Sequence, residues 1–124
     1  MYGPERLISD LREHGYLEVE LVTASNGASF AVIRNYAVLL GQFAGRIIDL
    51  GIPVPSDYPR TVGSSIHVRA NPQLFEKQSI ANVRNIIDSP LGAEWRYWSK
   101  NFGWSDERST RRLLSQINEV FNNA

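Results

Sequence analysis

Cysteine is absent from the 124 residues. That absence removes disulfides, cysteine-ligated zinc, iron–sulfur clusters and any thiol or thioester mechanism run by a protein side chain. Net charge is absent too. The 13 basic and 13 acidic side chains cancel, so no long-range field draws the chain to nucleic acid or to an anionic membrane. Lysine occurs only at Lys77 and Lys100. Every other cation is arginine, whose planar fork favours pairing with carboxylates and stacking on aromatic rings. These arginines are scattered among acids and form no basic stripe, so nucleic acid is not expected as a partner. Long hydrophobic runs are missing as well: Arg34, Asn35, Gln42 and Arg46 interrupt the apolar stretches, well short of the roughly 18 residues of a spanning helix. Met1 to Arg6 contain no apolar leader core, so no membrane is expected and cytoplasmic residence is the expectation.

What remains is 43% hydrophobic and 21% charged, the composition of one ordinary globular domain over residues 1–124. The order of patterns predicts an α+β fold. Gly3-Pro4 opens a helix in which Leu7, Ile8 and Leu11 share a face, and Gly15 stops it. Leu17, Val19 and Leu21 alternate with Glu18 and Glu20, which predicts a strand with one wet face. Ser25-Asn26-Gly27 signals a hairpin turn into a strand at Phe30, Val32 and Ile33. Tyr36 to Leu40 reads as its continuation or a third strand, Arg46 to Leu50 as another, and Ser64 to Arg69 as a short one. Three prolines between Ile52 and Pro59 predict an extended segment running off a sheet edge. Gln73 to Arg84 reads as irregular, with room for one or two helical turns. At the C-terminus, Leu113, Leu114, Ile117, Val120 and Phe121 make an apolar stripe, with Ser105 as its N-cap and Asp106 and Glu107 complementing the helix dipole.

Chemistry is thinly signalled. His14 and His67 are far apart in sequence, and no ligand set for a metal is visible. Ser64, Ser65 and His67 contain the parts of a hydrolase site without the strand–turn–helix of a nucleophile elbow. No glycine-rich phosphate loop is present, and no cofactor is expected. Trp95, Trp98 and Trp104 lie within ten residues. They read either as a small core under an irregular segment or as a partner-binding platform with Arg96 and Lys100 at its rim. If that segment is helical, Trp95 and Trp98 share a face.

Two stretches carry a family resemblance. Gly51-Ile52-Pro53-Val54-Pro55-Ser56-Asp57-Tyr58-Pro59-Arg60 is one, and Ser89 to Lys100, with its Trp95-Arg96-Tyr97-Trp98-Ser99-Lys100 core, is the other. With the flanking elements in order, the chain resembles bacterial relatives of the ubiquitin-conjugating enzymes, the UBC fold. The first stretch is similar to the passage out of that fold's third strand, and the second to a Trp-x-x-Trp-Ser-basic signature of certain prokaryotic members. The resemblance implies an N-terminal helix, a four-stranded antiparallel meander and a C-terminal helix packed on the sheet. It implies a ubiquitin-like protein, an activating-enzyme-like protein or a deconjugating protein as partner, with Tyr58, Pro59, Trp95, Arg96, Trp98 and Lys100 as contact candidates.

The chain departs from that family where its chemistry lies. The His-Pro-Asn element is echoed only by His67 and by Asn71 in Ala70-Asn71-Pro72. The thiol expected between about Pro72 and Trp95 is missing, with Ser79 and Ser89 the hydroxyls there. An alcohol has a far higher pKa than a thiol and yields a stable ester. The expectation is therefore a catalytically silent, protein-binding member of a bacterial ubiquitin-like modification or defence system. Two alternatives stand beside it: a conjugating enzyme whose cysteine is replaced, and an unrelated α+β scaffold or small-ligand-binding domain.

Overall fold

The computed structural model describes the chain apart from residues 81–83 and 105–106, and apart from the side chains of residues 79, 80 and 84. Ser105 and Asp106, expected at the start of the last helix, therefore lie outside the described residues.

Helix α1 spans Pro4–Glu13, with Pro4 in its first turn and Leu7, Ile8 and Leu11 buried. It ends where expected: Gly15 and Tyr16 donate backwards to the carbonyls of Arg12 and Leu11. Strands β1 (Val19–Thr23) and β2 (Ser29–Ala37) form the predicted hairpin. Its turn is held by Ala24 N–H to the Ala28 carbonyl and by Ala28 N–H to Asn26 Oδ1. Tyr36 continues β2 and does not open a strand of its own. A bulge between Ile33 and Tyr36 accommodates the extra residues. Strand β3 is Ile47–Pro53 and β4 is Ser65–Arg69.

The rest of the sheet differs from expectation. Gln78–Ile80, Arg84–Ser89 and Gly92–Ser99 are strands β5, β6 and β7, and the sheet has seven strands in the order β1-β2-β3-β4-β7-β6-β5, all antiparallel neighbours. The first four are the expected meander, and a second meander joins it through β7 on β4. The expected count of four was short by three: β5 is brief, adjacent Ile86 and Ile87 hide the alternation of β6, and the spacing of Trp95 and Trp98 gives β7 the look of a helix. Nor does the Pro-rich segment run off an edge. It leaves β3 inside the sheet, and Tyr58 N–H turns back onto the Pro55 carbonyl.

Helix α2, Thr110–Asn122, buries Leu113, Ile117, Val120 and Phe121 as predicted. Its cap is Ser109, not Ser105, with Ser109 Oγ accepting from Arg112 N–H at 3.2 Å. Both helices cover one face of the sheet, sealing a core that includes Ile33, Leu50, Ile66, Ile86 and Trp98. A smaller apolar cluster of Ala24, Phe30, Val32 and Trp95, backed by Leu91, occupies the other face. It is covered by the β6–β7 turn. Ser25 donates both its N–H and its hydroxyl to the Pro90 carbonyl, at 3.2 and 3.0 Å. That contact joins the β1–β2 turn to a turn on the far side of β3 and β4, so the sheet curls around this second face. Gly51 on β3 makes room for the cover: a Cβ there would come within 2.7 Å of Leu91 Cδ1 and 3.3 Å of the Trp95 ring.

Candidate functional site

Beneath that cover, β4 and the end of β6 bring together three of the polar residues singled out by sequence. His67 is 2% exposed. Its Nε2 lies 3.0 Å from Ser65 Oγ and its Nδ1 lies 2.7 Å from Ser89 Oγ. Ser65 and His67 share a face because they are two apart on a strand. Ser89 arrives from the β6–β7 turn, where its hydroxyl also accepts Leu91 N–H at 3.1 Å. Phe30 meets the imidazole edge-on at a centroid distance of 4.7 Å, and Tyr97 does so at 5.2 Å.

The electrostatics follow from burial. Among the described residues the ring's hydrogen-bond partners are two neutral hydroxyls, and no carboxylate there offsets the loss of water. Desolvation therefore pushes His67 down to about 4. A neutral imidazole has one N–H to give and one lone pair to offer, and two hydroxyls satisfy both. Desolvation leaves the ring weakly basic near neutrality, no carboxylate among the described residues orients it, and Ser65 is itself buried. The trio bridges β4 and the β6–β7 turn and fastens the cover.

The other chemical candidates fall elsewhere. Asn71 is exposed and lines a separate cleft of about 790 Å³ with Asp49, Arg69, Glu76 and Arg96. The side chain of Ser79 lies outside the described residues. Among the described residues no group of His, Asp and Glu is arranged to hold a metal ion.

The contact candidates divide sharply. Tyr58 and Trp98 are fully buried, and Trp95 is 5% exposed. All three are core residues, which corrects their reading as a contact surface. Nor do Trp95 and Trp98 share a face. They lie three apart on a strand, so they point to opposite sides of the sheet, Trp98 into the helix-covered core and Trp95 into the smaller cluster. Tyr58 is pinned by its hydroxyl to Thr110 Oγ1 at 2.7 Å, and Thr110 donates onward to Asp10 at 2.7 Å. Burial raises the Tyr58 phenol to about 12. Arg96 is half-buried and reaches Glu76 at 3.1 Å. Pro59 and Lys100 remain half-buried at the surface. Trp104 donates its Nε1–H to the Pro59 carbonyl at 2.8 Å, and its ring lies 6.4 Å from Tyr58. The Pro-rich loop and the segment after β7 thus form one rim around a cavity of about 340 Å³ lined by Arg60, Val62, Asn101 and Trp104.

Sequence reading missed an ion network on the curled face. Asp49 takes Arg69 at 2.6 Å and Arg34 at 3.7 Å, Arg34 takes Glu20 at 2.6 Å, and the Arg69 guanidinium lies 5.0 Å over the Trp95 ring. These residues come from five strands, so only the register reveals them. The excess of arginine over lysine was the one advance sign. Among the described residues no helix is long and apolar enough to cross a membrane. Comparison with protein-family models, with curated proteins and with solved structures finds no match to this chain.

Proposed function

We propose that this chain is a protein-binding domain on a UBC-like framework, with no group-transfer chemistry of its own. The observation that carries the reading is the state of His67: buried, neutral and saturated by Ser65 and Ser89 in a chain without cysteine. The residues closest to a catalytic set serve to hold the β6–β7 turn in place. An N-terminal helix, β1 to β4 in meander order and a C-terminal helix on the sheet support the framework. The three added strands are where this chain departs from the expected pattern.

Binding falls to the rim that the Pro-rich loop and the post-β7 segment build together, with Pro59, Arg60, Lys100 and Trp104 as its contact residues. The partner class is a ubiquitin-like protein or an activating-enzyme-like protein. The test is capture of such a partner encoded beside this chain, followed by titration of the Arg60→Glu, Lys100→Glu double variant. Loss of binding with an unchanged melting curve is expected. Binding unaffected by the double variant would place the contact elsewhere, and no capture at all would remove the reading.

A second reading has one observation in its favour. Ser89 is only half-buried, lies against His67 Nδ1 and falls in the stretch where the resemblance expects the thiol. Incubation with the ubiquitin-like protein, its activating enzyme and ATP separates the two. An ester adduct lost in Ser89→Ala supports an enzyme, and the binding domain yields none.

A further inference from the structure

Strand β1 is an edge of the sheet. Its register with β2 fixes which backbone groups are free. Arg34 N–H bonds the Glu18 carbonyl and Ala24 N–H bonds the Ala28 carbonyl. By alternation, Glu20 and Val22 also face β2, while Val19, Leu21 and Thr23 point their N–H and C=O groups away from it. Of these outward groups, the Val19 carbonyl accepts Arg12 Nη2 at 3.4 Å, and those of Leu21 and Thr23 have no partner among the described residues. Proteins usually blunt such an edge with lysine, proline or a covering loop. Here Leu21 is 51% exposed and Leu17 is 76% exposed. Leu21 also forms one wall of a groove of about 710 Å³ whose opposite wall is α1, with Met1 and Ile8 in it.

We propose that this edge pairs with the β1 edge of a second copy, antiparallel and centred on Leu21, making one sheet continuous through two chains. The strand's own sequence selects this occupant and this register. Centred on Leu21, the outward groups of Leu21 face those of the partner's Leu21, Val19 meets Thr23, and Glu20 lies opposite Val22. Each Leu21 side chain then reaches the mouth of the other copy's groove. Centring one residue earlier sets Glu20 directly against Glu20, which like-charge repulsion disfavours. The chain has no net charge, so no long-range field opposes the approach of a second copy. A two-fold axis through Leu21 closes the contact, giving a dimer and not a fibre.

The test is sedimentation velocity of the full chain over a concentration series, with amide exchange read on β1. A monomer–dimer equilibrium is expected, with the Leu21 and Thr23 amides gaining protection as concentration rises. Thr23→Pro removes an outward N–H and leaves the β2 ladder intact. Leu21→Lys places a charge at the centre of the contact. Each variant is expected to weaken association at least about tenfold without changing the melting curve. A chain that stays monomeric throughout the series overturns the proposal, as does a dimer indifferent to both variants. Should Thr23→Pro fail to fold, Leu21→Lys and the exchange pattern still decide. Heterotypic capture at the Pro59–Lys100 rim is a separate measurement, so either idea fails alone.

Discussion

Acid should weaken this protein through His67 in a defined window. The ring titrates near 6.5 when unfolded and is held down to about 4 when buried. Between those values the unfolded chain binds a proton that the folded chain refuses, so stability rises with pH. The contribution is complete above about pH 6.5 and is lost progressively as pH falls towards 4. Two and a half pKa units correspond to about 3 kcal/mol in the limit, of which about 2 kcal/mol is already gone at pH 5. Acid acts on the whole chain, so the informative quantity is a difference. Urea unfolding would be followed at several values from pH 4.5 to 8, for the wild type and for His67→Gln.

The glutamine variant is less stable near neutrality, because Ser65 and Ser89 lose a matched partner, but it has no imidazole to protonate. The two stability curves should therefore converge as pH falls, closing by about 2 kcal/mol between pH 7 and 5. Parallel curves would refute the reasoning. So would an imidazole resonance of His67 that titrates near 6.5 in the folded protein, because either result means the ring is not desolvated by the β6–β7 cover.

Three further outcomes follow from the packing. Trp98 is fully buried, yet its Nε1–H has no hydrogen-bond partner among the described residues. Trp98→Ala should cost about 3–5 kcal/mol, while Trp98→Phe should cost much less because it deletes an unsatisfied donor; calorimetry on both checks the contrast. Gly41 has φ +82°, and a Cβ there would overlap the Phe121 carbonyl oxygen at the end of α2. Gly41→Ala should destabilise by about 2–4 kcal/mol, read by chemical denaturation. Ser109→Ala removes the cap of α2 and should cost about 1 kcal/mol in the same assay.

The parts of the fold legible in sequence are those where periodicity and punctuation agree. Leu7, Ile8 and Leu11 ahead of Gly15 predict α1, Asn26-Gly27 predicts the first hairpin, and the stripe from Leu113 to Phe121 predicts α2. β6 was not legible. Ile86 is buried but Ile87 beside it is 50% exposed, so adjacent isoleucines conceal a period of two. β7 was misread for the opposite reason: spacing of three between Trp95 and Trp98 mimics a helical face, although on a strand it serves both faces. The ring set around His67 was half legible. Ser65 and His67 are neighbours in sequence, but Ser89 joins them only because the sheet curls, a tertiary fact that no local pattern encodes. Likewise Tyr58, conspicuous in a Pro-rich loop, is fixed inward by Thr110 from a helix more than fifty residues away.

The two-sided burial of the sheet also constrains where any partner can sit. One face is closed by α1 and α2, and the centre of the other is closed by the β6–β7 turn latched to Ser25 and fastened through His67. A flat sheet surface, the usual place for a domain with this many strands to meet another protein, is therefore not on offer at the centre. Among the places left open are the β1 edge, whose Leu21 and Thr23 outward backbone groups have no partner among the described residues, and the rim where Trp104 ties the Pro-rich loop to the segment after β7. They are supplied by different parts of the chain. Latch strength links one of them to the His67 chemistry, because Ser25, in the β1–β2 turn, donates to the Pro90 carbonyl of the β6–β7 turn. Protonating His67 should therefore loosen the β1 hairpin before it disturbs the rim. Amide exchange at pH 4.5 should show Ser25 and β1 losing protection while the amide of Lys100, bonded to the Ser64 carbonyl at 2.8 Å, keeps it; equal loss at both would mean that the cover and the rim open as one unit.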